Sequence, residues 1–102
     1  MENNIVWGCV NANGGIYKGT GFTVTKVATG TYEVEYNTSF NDTPAVTLTQ
    51  NYHNWNDFGY EGGDTKDNCV LVASNRNKFK LITGNAPGDH TDRNFTFIAI
   101  GS

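Results

Sequence analysis

Apolar and polar residues alternate with a period of two in short runs along most of this chain. In the run TYEVEY, Tyr32, Val34 and Tyr36 alternate with Glu33 and Glu35, and the runs GFTVT and AVTLTQ alternate in the same way with threonine. Successive side chains of a β-strand point to opposite faces, so these runs predict strands with one buried and one solvent-facing side. No run keeps the 3.6-residue period of an amphipathic helix. The chain is therefore predicted to be all-β.

Turn signals separate the alternating runs. Asn13-Gly14 lies between IVWGCVN and GIYKGT, Thr29-Gly30 follows GFTVT, and the segment 75–77 divides NCVLVAS from KFKLIT. Asn-Gly pairs and short Gly-containing loops between such runs are typical of β-hairpins. About eight short strands with turns between them predict an antiparallel β-sandwich. A chain of 102 residues fits a single domain, residues 1–102.

Two of the runs, CVLVA and FTFIAI, are apolar on both faces. The side chains opposite the predicted inner faces are Val70 with Val72 and Ile98 with Ile100, while the predicted inner sets are Cys69, Leu71 and Ala73, and Phe95, Phe97 and Ala99. A two-layer sandwich buries only one face of each strand. We therefore expect another copy of the chain to cover these valines and isoleucines. The alternative is cover by a long loop of the same chain, such as 51–67.

The net charge of −3 and the scattered Lys and Arg residues argue against nucleic acid as a partner. No apolar run approaches the ~20 residues of a membrane helix, so no membrane insertion is expected. The segment Met1–Asn4 lacks the basic and apolar regions of a signal peptide. Synthesis in a cytoplasm is expected, with release by lysis or another non-classical route if the protein acts outside the cell, and the localisation stays open. Cys9 and Cys69 are expected to be free thiols, with a disulfide as the alternative.

No arrangement in the sequence favours catalysis. Ser74 lacks the Gly-x-Ser-x-Gly frame of a serine nucleophile, and Glu33 and Glu35 lie on a face predicted to be solvated rather than in a cleft. The protein is therefore predicted not to be an enzyme. No metal or other cofactor is expected. Calcium is a less favoured alternative, because aspartates occur in Gly-rich loops but without EF-hand spacing.

Two loop segments, 51–64 and 84–94, each contain a histidine together with amides and carboxylates; the first adds aromatic rings and the second adds an arginine. The apolar C–H faces of sugars stack on aromatic rings, and sugar hydroxyls suit carboxylate, amide and guanidinium partners. The candidate carbohydrate-binding residues are Trp55, Asn51, Tyr52, Asn56, Asp57, Tyr60, Asp89, His90, Asp92 and Arg93. Trp55 is the leading candidate, although packing of its ring over a strand is an equal alternative. For Phe58, a purely apolar ring, packing is favoured.

Several motifs resemble those of a known group of domains. They are GTGFTV at 19–24, TGTY at 29–32, the segment 40–46 with its proline, and the closing FTFIAIG at 95–101. Together they resemble a small C-terminal domain of phage tail fibres and of related bacterial surface or collagen-like proteins. The order of motifs is also similar to that of H-type lectins, which are compact antiparallel sandwiches that form trimers and bind N-acetylgalactosamine-type sugars.

The resemblance covers nearly the whole chain and is weakest over 51–67 and 84–91. It implies a jelly-roll-like, homotrimeric β-sandwich that recognises a glycan or another cell-surface receptor, with a place in a virion tail fibre. The trimer agrees with the strands that are apolar on both faces, so Val70, Val72, Ile98 and Ile100 are expected at the trimer interface. It transfers no binding site, because the matching motifs belong to the scaffold. The alternative function is a structural domain that trimerises or caps a fibre and binds no ligand.

Overall fold

The structure, a computed structural model, describes residues 3–52 and 54–102. Within these residues the chain forms eight β-strands and no helix. The strands are β1 Asn4–Val10, β2 Ile16–Gly19, β3 Phe22–Ala28, β4 Thr31–Tyr36, β5 Ala45–Asn51, β6 Asn68–Ser74, β7 Lys78–Gly84 and β8 Asn94–Gly101. The described residues accordingly include no helical segment that could cross a membrane.

The strands form two four-stranded antiparallel sheets. The first sheet has the order β2-β1-β8-β5, and the second has the order β3-β4-β7-β6. The three hairpins predicted from turn signals are confirmed as β1–β2, β3–β4 and β6–β7. The predicted all-β, antiparallel β-sandwich is thus the fold of the described chain.

The core lies between the two sheets and consists mainly of aromatic side chains. Phe97 of the first sheet packs edge-on against Phe22 and Phe79 of the second, with ring centroids 4.9 and 5.0 Å apart. The residues predicted to face inward on β4 and β8, including Tyr32, Val34, Phe95 and Phe97, are buried. Alternation predicts these positions because one face of every strand must be removed from water. The prediction is wrong for Leu71 and Ala73 of β6, which are exposed.

The outer faces of the two sheets differ in chemistry. On the second sheet, Glu33 of β4 forms ion pairs with Lys78 at 3.3 Å and Lys80 at 3.5 Å, both on the neighbouring β7. The hydrogen bond from Lys78 is the main reason why the pKa of Glu33 lies below its ordinary value. Charged side chains are expected on a face that water covers.

The outer face of the first sheet is apolar. Ile5 of β1 lies opposite Ile100 of β8, and Trp7 lies opposite Ile98. Directly opposite residues of antiparallel strands project to the same side. The residues Ile5, Trp7, Ile98 and Ile100 are all exposed, and we call them the apolar outer face. The alternative that a loop of the same chain covers Ile98 and Ile100 is therefore wrong.

Strand β6 departs from simple alternation. A bulge between Leu71 and Ala73 shifts the register, so that Leu71 pairs with buried Leu81 but Ala73 pairs with outward-facing Lys80. A bulge places two residues of one strand opposite one residue of its partner, which reverses the facing of everything that follows. The prediction that Ala73 shares a face with Leu71 is therefore wrong.

The two cysteines lie in different sheets, Cys9 in β1 and Cys69 in β6. Both are free thiols and partly buried. Burial raises the pKa of the Cys69 thiol, which makes it less reactive at neutral pH. The expectation of free thiols is confirmed.

Candidate functional site

The candidate binding residues lie at one end of the sandwich. Successive strands run in opposite directions, so alternate connections between strands lie at the same end. The connections at this end, which we call the loop end, are 11–15, 29–30, 52–67 and 85–93. His53 of the third connection lies outside the described residues. The connections 20–21, 37–44 and 75–77 lie at the opposite end. The structure thus brings the two predicted loop segments to a common end.

Tyr52 and Arg93 form the centre of the loop end. The guanidinium carbon of Arg93 lies 4.8 Å from the centroid of the Tyr52 ring, which is a cation–π contact. Arg93 Nη1 also lies 3.4 Å from Asp67 Oδ2, and the two side chains are only 14% and 10% exposed. Asp67, which the sequence analysis did not select as a carbohydrate-binding residue, therefore neutralises the charge of Arg93.

The loop 52–67 also packs against Tyr52 through two glycines. A Cβ atom added to Gly62 would lie 3.0 Å from Tyr52 Cε1, and one added to Gly63 would lie 3.2 Å from Tyr52 Cγ. Both glycines also have positive φ angles, which side chains disfavour. The backbone can approach the ring this closely only because both positions are glycine. Tyr52 is therefore an anchor on which the loop is folded.

Trp55 packs on the β1–β2 hairpin. Its ring is stacked on Tyr17 of β2 with centroids 5.1 Å apart and an interplanar angle of 5°. Its Nε1–H donates a hydrogen bond of 2.8 Å to Asn11 Oδ1 in the adjoining turn. The sequence analysis did not single out Tyr17 or Asn11. Of the two alternatives for Trp55, the structure shows packing for one face of the ring, and the side chain is still partly exposed.

The prediction that Phe58 packs against the fold is wrong. The Phe58 side chain is fully exposed at the tip of loop 52–67. The tip is an ordered turn, since Asp57 O accepts a hydrogen bond from Tyr60 N and Asp57 Oδ1 accepts one from Gly59 N, both at 3.1 Å. Tyr60 is also exposed and lies 6.0 Å from Tyr52 between ring centroids. The tip therefore presents aromatic surface to water.

Asp92 is engaged within the fold. Its Oδ2 accepts a hydrogen bond of 2.6 Å from Lys26 Nζ, and its Oδ1 accepts one of 2.7 Å from the backbone N–H of Gly30. The Lys26 bond, followed by the Gly30 bond, holds the pKa of Asp92 below its ordinary value. Asp92 thus fastens the β3–β4 turn to the segment before β8, and its role as a ligand stays a prediction.

The remaining candidate residues divide between two sides of the loop end. Asn51 ends β5 and pairs with Asn94 of β8, while Asn56 is exposed beside the tip. His90 and Asp89 are exposed, and His90 lines a cleft of ≈ 200 Å³ over the outer face of the second sheet together with Val70 and Ile82. His90 therefore lines a different cleft from Arg93.

Two shallow clefts flank Tyr52. One, of ≈ 350 Å³, is lined by Ala12, Tyr52, Asp92, Arg93 and Asn94. The other, of ≈ 310 Å³, is lined by Gln50, Tyr52, Gly62, Gly63, Asp64, Thr65 and Asp67. Their sizes match the lower end of the ≈ 300–1,000 Å³ range of small-molecule sites. No group of three or more His, Cys, Asp or Glu side chains is placed to hold a metal ion in the ranges 3–52 and 54–102.

The four residues predicted for the trimer interface lie on two different surfaces. Ile98 and Ile100 belong to the apolar outer face of the first sheet, whereas Val70 and Val72 lie on β6, an edge strand of the second sheet. Ile5 and Trp7, which the sequence analysis did not select, join the isoleucines. Comparison with known proteins adds no further assignment, because no family model, curated protein or solved structure matches the chain.

Proposed function

We propose that the protein is a non-catalytic, homotrimeric recognition domain that binds carbohydrate at its loop end. The observation that carries the proposal is the convergence of aromatic and hydrogen-bonding side chains from separate connections at one end of a rigid sandwich. Binding residues are often carried on loops that a rigid scaffold positions. The resemblance to tail-fibre domains and to the jelly-roll-like H-type lectins supports the same function.

The clefts beside Tyr52 offer the chemistry that a sugar requires. Asn94 and Asp92 line one cleft and Asp64 lines the other, so amide and carboxylate oxygens lie next to aromatic carbon. Carboxylates accept hydrogen bonds from hydroxyls, and the ring offers an apolar surface to C–H groups. A pyranose presents both kinds of surface on one molecule.

The apolar outer face supports assembly. Covering the exposed halves of its large side chains contributes about 1 kcal/mol for each residue. Soluble monomers rarely expose contiguous patches of this kind, and tryptophan is frequent among residues that dominate interfaces. Trp7 is therefore expected near the centre of the subunit contact. A trimer would hold three loop ends together, so that weak sites combine into useful avidity.

Assembly through this face is tested by comparing Ile98→Asp with Val70→Asp. The two positions are 47% and 46% exposed but lie on opposite sheets, so the substitutions disturb the free chain to a similar extent. Leaving an unpaired charge in a buried contact costs about 3–5 kcal/mol. Light scattering at micromolar concentration should therefore show a trimer for the wild type and Val70→Asp, and a monomer for Ile98→Asp. A wild-type monomer would refute this part of the proposal.

Carbohydrate binding is tested with the wild-type trimer on a panel of immobilised glycans, with and without calcium. We expect binding to a restricted class of glycans that the free sugar competes away. A trimer that binds no glycan would instead support the structural trimerisation domain. That second function is favoured by one observation, which is that Tyr52 and Trp55 both make packing contacts within the protein.

A further inference from the structure

We propose that the tip of loop 52–67 is the stacking platform for the sugar, with Phe58 and Tyr60 as its aromatic surface, and that the sugar is not acidic. This inference rests on the proposed carbohydrate function and names its contact residues and ligand class. It differs from the sequence-based expectation, in which Trp55 was the leading platform residue.

Phe58 lies fully in solvent. Burying a phenylalanine side chain contributes about 1.5–3 kcal/mol, and a fully exposed one contributes none of this to folding. The residue lies within a turn that is closed by two hydrogen bonds to Asp57, so the backbone that carries the exposed ring is ordered. A rigid aromatic side chain at a loop tip loses little entropy when it contacts a ligand.

The Tyr60 ring is supported from behind by Tyr52. The two ring centroids lie 6.0 Å apart, and Tyr52 also packs against Arg93 and the glycine pair 62–63. Tyr60 is therefore connected to the sandwich through a packed aromatic ring and the ion pair of Arg93 with Asp67. A binding surface supported in this way can hold its geometry when a sugar approaches.

The surface around the tip is negatively charged. The loop exposes the carboxylates of Asp57, Glu61 and Asp64 and the ammonium group of Lys66. The nearby Arg93 is paired with Asp67. A carboxylate- or sulfate-bearing sugar would meet like charge, which costs affinity. An uncharged or amino-bearing pyranose would instead find acceptors for its hydroxyl or ammonium groups.

The experiment measures binding of the full chain to three immobilised sets of glycans, which are uncharged, amino-bearing and acidic. Phe58→Ala is compared with Val27→Ala, which truncates another exposed apolar side chain outside the tip. We expect Phe58→Ala to lose about tenfold or more in affinity for the uncharged and amino-bearing sets, a factor typical of one lost aromatic contact. The melting temperature and oligomeric mass of Phe58→Ala should equal those of the wild type, and Val27→Ala should bind glycans with wild-type affinity.

Charge is tested with Glu61→Gln, which should raise the weak binding of acidic glycans. Three results would overturn the inference while leaving the carbohydrate function in place: unchanged binding by Phe58→Ala, a wild-type preference for acidic glycans, or Val27→Ala losing as much as Phe58→Ala. A change of oligomeric mass in Phe58→Ala would assign the tip to subunit contact and also overturn it. A wild-type trimer that binds none of the three sets would refute both the inference and the proposed function.

Discussion

Replacing Trp55 by alanine separates the packing role of this residue from a role in ligand binding. The substitution removes a parallel stack on Tyr17, with centroids 5.1 Å apart, and a hydrogen bond of 2.8 Å to Asn11. An aromatic pair contributes about 0.5–1.5 kcal/mol and a hydrogen bond about 1 kcal/mol. The free energy of unfolding should therefore fall by about 2 kcal/mol. This is less than the about 3–5 kcal/mol typical of a fully buried ring, because Trp55 is partly exposed.

The contributions can be measured separately by urea denaturation at one fixed protein concentration. Trp55→Phe keeps an aromatic ring for the stack but lacks the N–H donor, so it should lose about 1 kcal/mol. A double-mutant cycle of Trp55→Ala with Tyr17→Ala should give a coupling energy of about 0.5–1.5 kcal/mol. In a domain of this size, a loss of about 2 kcal/mol corresponds to a fall of about 8–16 °C in Tm.

Three outcomes of these measurements would change the role assigned to Trp55. If the two single substitutions add to within about 0.3 kcal/mol, the stack carries no energy and the assigned contact is wrong. If Trp55→Ala leaves the free energy of unfolding unchanged and abolishes glycan binding, the ring is a ligand platform, as first expected from the sequence. If Trp55→Ala loses both stability and glycan binding, the same two quantities are compared in Trp55→Phe, which should retain more of each.

Two further predictions concern ionisable groups. The Tyr36 hydroxyl is buried without a hydrogen-bond partner in the described chain, and burial raises its pKa to about 12. Tyr36→Phe should therefore raise the free energy of unfolding at pH 7 by about 1 kcal/mol, and should reduce the loss of stability that the wild type shows between pH 10 and about 12, where the unfolded chain ionises first. The pKa of Asp92 is lowered by Lys26 and Gly30, so its stabilisation is present at neutral pH and is lost as the pH falls below about 4. Asp92→Asn should lose about 0.2–1 kcal/mol at pH 7 and little at pH 2, and a loss that is equal at both pH values would contradict the assigned ion pair.

Much of the fold could be predicted from the sequence because strand alternation is a local property. The inward positions of Tyr32, Val34 and Phe97 follow from counting residues in steps of two. The bulge at Val72 cannot be found by such counting, because it depends on how β6 pairs with β7. Trp7 was missed even though the run IVWGCV is apolar on both faces, which is the same signal that selected Ile98.

The candidate site was harder to predict because loops have no period. The sequence indicated which segments carry aromatic and polar side chains, but not which partners they meet. The contact of Trp55 with Tyr17 joins residues far apart in the chain, and so does the ion pair between Arg93 and Asp67. Phe58 was expected to pack because its ring is apolar, but the short turn at Asp57 directs it into solvent.

The unlike outer faces of the two sheets give the protein two opposite responses to salt. On the charged face, added electrolyte screens the pairs of Glu33 with Lys78 and Lys80, and exposed pairs of this kind contribute little to begin with. On the other face, strongly hydrated anions such as sulfate make contact between Ile5, Trp7 and their counterparts more favourable. Under the proposed assembly, raising the ammonium sulfate concentration should therefore favour association without unfolding the chains, and the purification buffer should then decide whether monomer or trimer is observed.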